Sequence, residues 1–141
     1  MTRTDDIPLS PNQAWGLTNN FLQVMLEKCP DRFLNHGEGY MMFDNFISCS
    51  LTGIDAYVWQ RCYSATSLKP FPHDLEISSS DKSISPEEVF KTVVAVVCEY
   101  CYLYGFHIFE FIDLLHNMKC NPEKYPKENK IWREAVQSVL Q

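Results

Sequence analysis

Apolar residues recur three or four positions apart along most of this chain, the spacing of a helix face rather than of a strand. The first helix is announced by Ser10, Pro11, Asn12 and Gln13. A hydroxyl residue stands ready to cap, a proline takes the first helical position, where its missing N–H does no harm, and a glutamine can reach back to the cap. Ala14, Thr18, Phe21, Leu22 and Met25 follow in helical register, and the Cys29–Pro30 step stops the helix. Tyr40, Phe43, Ile47, Leu51, Ile54 and Val58 make a second stripe, which predicts a helix within 37–64. Gly53 inside it costs about 1 kcal/mol against alanine. Ser85, Pro86, Glu87 and Glu88 repeat the start signal for a helix running to Tyr104 and closed by Gly105. The β-branched run Thr92 to Val97 suits a strand by propensity, but the caps and the length favour a helix. A fourth helix is predicted over His107–Lys119, and a fifth over 127–140, where Ile131, Ala135, Val136 and Val139 share a face.

The resulting expectation is an all-α fold, a bundle of four to five helices in a single domain spanning residues 1–141. Residues 1–9 are expected to be flexible. Residues 65–84, with two prolines and a serine-rich end, are expected to form a long loop that is mobile or ordered only against a partner. Short helices leave apolar faces uncovered in one copy, so a homodimer is expected.

Composition narrows the function classes. Apolar residues make up 45% of the chain and charged residues 21%, and the net charge is −6. An acidic chain without clustered Lys and Arg is not expected to bind nucleic acid. No run is long and apolar enough to suggest a membrane span, and the first residues have no apolar core of the export type, so the expected setting is cytoplasmic. The six cysteines are then expected to be reduced, with Cys98 and Cys101 largely buried in an apolar helix.

Cys98, Cys101, His116 and Cys120 together have the ligand types of a tetrahedral zinc site. The CxxC lies inside a helical stretch rather than on a turn, which weighs against zinc, and it stands far from a helix N-terminus, which weighs against redox activity. No nucleophile elbow, P-loop or dinucleotide fingerprint is present, and His36, His73, His107 and His116 are scattered. The dense aromatics, Tyr57, Trp59, Tyr63, Tyr100, Tyr102 and Tyr104, suit core packing first and base stacking second.

From Ser85 onward, a glycine closes one helix, a short amphipathic helix carries acidic residues, and Asn121, Lys124, Tyr125 and Pro126 make an Asn-x-x-Lys-Tyr-Pro tail. This half of the chain resembles the MazG-like, all-α nucleoside triphosphate pyrophosphohydrolases. The resemblance extends more loosely upstream to about residue 40. It implies a MazG-like bundle whose tail contacts a nucleotide. The family holds magnesium with Glu-x-x-Glu and Glu-x-x-Asp pairs, since carboxylates three apart share one helix face. Here the aligned positions of the second helix read Cys49, Thr52 and Asp55, and those of the third offer Glu87 and Glu88 followed by Lys91 and Thr92. Lys119 stands two places from the position of the family's helix-four lysine, which falls on Asn117.

The resemblance therefore implies Asp55 and Glu88 as residual Mg²⁺ groups, with Trp59, Lys91, Lys119, Asn121, Lys124 and Tyr125 as nucleotide contacts. Two isolated carboxylates fall short of a two-metal displacement site. The expected function is nucleotide binding with weak or lost pyrophosphohydrolase activity. The alternative is a small acidic interaction protein, of inhibitor or immunity type, that acts by binding another protein.

Overall fold

Both serine–proline starts form the reciprocal caps that their sequence predicts. A computed structural model of the chain describes residues 7–28, 54–68, 84–104 and 109–140. Helix α1 runs over Pro11–Lys28. The Ser10 amide donates to Gln13 Oε1 at 2.9 Å, and the Gln13 amide donates to Ser10 Oγ at 3.2 Å. Helix α3, Pro86–Tyr104, begins in the same way. The Ser85 amide donates to Glu88 Oε1 at 3.0 Å, and the Glu88 amide to Ser85 Oγ at 3.1 Å. Each box satisfies two amides that a helix start otherwise leaves without partners.

Helix α2 covers Ile54–Ser67, so it continues past Ser64 into what the sequence assigned to a loop. Its polar end is held by back-bonding: Thr66 Oγ1 donates to the Cys62 carbonyl at 3.0 Å and Ser67 Oγ to the Tyr63 carbonyl at 2.7 Å. Leu68 then turns left-handed at a φ of 60°, with its amide on the Ser64 carbonyl at 3.1 Å. A leucine occupies a helix-ending conformation usually given to glycine, so no sequence signal marked it. Helix α4 is Phe109–Cys120, a single 3-10 turn covers Pro122–Lys124, and helix α5 is Pro126–Leu140. The run Thr92–Val97 is helical, as the capping argument required.

Among the described residues every regular element is helical, and the sole β-pairing is one isolated antiparallel bridge between Leu9 and Ile84. Both residues are fully buried and exchange backbone hydrogen bonds of 2.7 and 3.1 Å. This corrects two expectations: the flexible N-terminus does not reach residue 9, and the long loop does not reach residue 84. Apolar side chains at both positions gain more from burial than a free chain gains from entropy. Residues 1–6, 69–83 and Gly105, and the predicted helical stretch from Gly37 to Gly53, lie outside the described residues.

Helices α2 and α3 pack against each other, α1 packs against α5, and α3 also contacts α1 and α4. The core between them holds Leu17, Phe21, Met25, Val58, Trp59, Tyr63, Val93, Val97, Phe111, Leu115, Trp132 and Val136. Antiparallel α1 and α5 are stitched along their length. Gln13 Nε2 donates to the Val139 carbonyl at 3.0 Å, and Lys127 Nζ donates to the Lys28 carbonyl at 2.9 Å. The second bond places a cation at the negative end of α1. No described helix is long and apolar enough to cross a membrane.

Candidate functional site

On α3, Glu87, Phe90, Lys91 and Val94 recur at helical spacing, so they occupy one strip of its surface. On α4, Leu115, His116, Lys119 and Cys120 do the same. The two strips face each other and enclose a groove of about 290 Å³. Its walls are mostly apolar, with Phe90, Val94 and Leu115 at the core side. Two lysines, one histidine and one glutamate stand among them, so the groove has a positive bias in an acidic protein.

Lys119 is fixed in place by aromatic rings. Its Nζ lies 4.7 Å from the centre of the Phe90 ring and 5.8 Å from that of Trp132. The negative ring faces attract the ammonium, and the half-buried stem packs on apolar surface. Phe90 is itself held edge-on by Trp132 at a centroid distance of 5.0 Å, and Phe21 meets Trp132 at the same distance. The ammonium thus rests on a rigid base. Lys91 is exposed on the opposite wall. Cys120 and His116, one helical turn apart, approach to 3.6 Å between Sγ and Nε2.

The residues expected to serve a nucleotide are distributed unevenly. Lys91 and Lys119 share this groove. Asn121 is half-buried directly after Cys120, and its carbonyl accepts the Lys124 amide at 3.0 Å. Lys124 is exposed on the 3-10 turn. Tyr125 lines a different hollow of about 230 Å³ with Glu110, Asp113, Leu114 and Asn117. Trp59 requires correction as a stacking wall, because it is fully buried. Its Nε1 donates to Thr18 Oγ1 at 3.0 Å, and its ring stacks on Tyr63 at 5.8 Å and meets the edge of Trp15. Val58, Trp59, Cys62 and Tyr63 are all buried, so the core stripe of α2 takes both residues of the Val-Trp pair inward.

Of the acidic pair, the structure describes the side chain of Glu88 alone. Glu88 is the reciprocal partner of Ser85, and its Oε1 accepts the Ser85 amide. The Asp55 side chain lies outside the described residues. Among the described residues, no three His, Cys, Asp or Glu side chains gather into a group able to hold an ion.

The cysteines also depart from expectation. Cys98 is exposed and Cys101 half-buried, because Val93, Val96 and Val97 take the inward face of α3. Cys62, Cys98, Cys101 and Cys120 carry free thiols. Burial, followed by the nearby Glu99 carboxylate, pushes the Cys62 thiol up to about 11. The Cys98 thiol is also raised, by loss of water on its protein side and then by Cys101. Glu99 pairs with Arg61, which ties α2 to α3.

Sequence reading missed the groove itself, along with the contributions of Glu87, Phe90 and Leu115. The only signal was the matching spacing of polar and apolar residues on two helices, and neither helix announced its partner. No protein-family model, curated protein or solved structure matches this chain.

Proposed function

We propose that this chain is a nucleotide-binding protein of MazG-like bundle type, with pyrophosphohydrolase activity weak or lost, and that the α3–α4 groove is where it binds. The observation that carries the reading is the convergence of Lys91 and Lys119 on one mostly apolar groove. Two ammonium groups suit phosphate oxygens, and the apolar wall suits the sugar–base portion. Helix α4, which carries part of the resemblance, forms one wall of the groove, and the Asn121 to Pro126 tail follows Cys120 directly in the chain. Engagement of Glu88 in the α3 cap supports binding without efficient hydrolysis. The protein would act in the cytoplasm as a homodimer, a pairing supported by the outward-facing rings of Tyr57, Tyr102 and Phe109.

The test is a thermal-shift and calorimetric titration with nucleoside mono-, di- and triphosphates in the presence of chelator. A ligand at about 100 times its dissociation constant stabilises the fold by about 2.7 kcal/mol. Lys91→Glu should remove the shift, since it reverses one of the two positive charges that line the groove. No stabilisation by any nucleotide at millimolar concentration would refute the reading and favour a protein partner instead.

A further inference from the structure

We propose that the α3–α4 groove is also a site of covalent thiol exchange, in which Cys120 captures one half of a small anionic disulfide. The inference does not depend on nucleotide binding. It rests on what surrounds the sulfur. Cys120 is exposed, lines the groove, and has His116 Nε2 3.6 Å from its Sγ. Lys91 and Lys119 line the same groove, with Glu87 as the one acid among its lining residues. A nucleophile, a proton acceptor, two cations and a cavity of about 290 Å³ therefore open to solvent together.

The other described thiols lack this combination. Cys62 is buried, and its thiol is raised to about 11. Cys98 is exposed, but its thiol is raised too, and Cys101 beside it is half-buried. The thiolate is the reactive form, so Cys62 and Cys98 are slower nucleophiles at neutral pH.

The exchange balances without a further reagent. The Cys120 thiol gives its proton to His116 Nε2, and the thiolate attacks the nearer sulfur of the disulfide. A bond forms between Cys120 Sγ and that sulfur as the original S–S bond breaks. The departing thiolate takes the proton back from the imidazolium. Cys120 is oxidised to a mixed disulfide, and the released half is reduced to a thiol. Carboxylates on the incoming molecule are attracted to the two lysines, which favours an anionic disulfide over a neutral one.

The experiment exposes the full chain to oxidised glutathione without nucleotide or metal and follows the adduct at each cysteine by peptide mass mapping. Cys120 should be modified about tenfold faster than Cys98, the exposed thiol that serves as the internal control. His116→Gln should slow Cys120 by a similar factor. Lys91→Glu should slow reaction with oxidised glutathione more than reaction with the uncharged bis(2-hydroxyethyl) disulfide. His116 and Lys91 are both exposed, so neither variant threatens the fold, and circular dichroism verifies this. Equal or faster modification of Cys98, or a Cys120 rate indifferent to His116→Gln, overturns the proposal. Loss of nucleotide binding alone would leave it standing.

Discussion

Two buried polar atoms show how closely single residues are constrained. Thr18 Oγ1 donates to the Ala14 carbonyl at 3.0 Å and accepts from Trp59 Nε1 at 3.0 Å, so one hydroxyl serves both helices. Thr18→Val keeps the shape and removes that acceptor. It should cost about 1–3 kcal/mol, read from the urea midpoint, while Thr18→Ser keeps most of the stability. An unchanged midpoint in the valine variant would mean that the indole is satisfied elsewhere. Cys62 gives a pH prediction. Its thiol is raised in the fold from about 9 to about 11, so between those values the unfolded chain has lost a proton that the folded one keeps. Stability must therefore fall as pH rises through this window, and the contribution is fully present below pH 9. Cys62→Ala should show a flatter decline over that range in denaturant melts. A parallel decline would place the titration at other groups. Trp59 marks the limit of legibility at this scale. An indole next to a core valine can turn inward or outward, and only the helix packed opposite decides.

Helix starts were legible because their chemistry is local, and helix ends were less so. Ser10 with Gln13, and Ser85 with Glu88, form both bonds of the capping box. Ser85→Ala should cost about 1 kcal/mol in thermal or urea unfolding. Glu88→Gln should cost almost nothing, because glutamine fills the same capping role. A large loss in the glutamine variant would show that the charge, rather than the cap, is what the fold needs. The Asn121 to Pro126 tail has a structural reason to exist. It forms a 3-10 turn with Pro122 at its start, and Pro126 opens α5. Asn129 Nδ2 locks the turn through the Met118 and Tyr125 carbonyls at 3.0 and 2.9 Å. That bond joins residues 11 apart, beyond the reach of helical periodicity. The groove was hidden for the same reason. Each wall is a regular helix strip, and the site exists only where the two strips meet.

For the molecule as a whole, α5 closes the bundle and steadies the groove through one ring system. Trp132 is buried, meets Phe21 and Phe90 edge-on at 5.0 Å, and lies under the Lys119 ammonium. It joins α1, α3, α4 and α5, which a sequence reading could list as elements but could not connect. Trp132→Ala should cost about 3–5 kcal/mol, a large part of the 5–15 kcal/mol typical of a whole domain. Trp132→Phe should cost much less. It keeps an aromatic ring between Phe21 and Phe90, and it removes a buried indole N–H that has no acceptor among the described residues. The two variants also separate packing from function. Because the Lys119 ammonium sits closer to Phe90 than to Trp132, the phenylalanine variant should keep the anion affinity of the groove. The alanine variant, studied below its melting temperature, should weaken that affinity by loosening Phe90 and with it the ammonium. Denaturant unfolding measures the first effect and calorimetric titration with a nucleotide the second. Equal affinity in a folded alanine variant would show that the ring system supports the bundle alone.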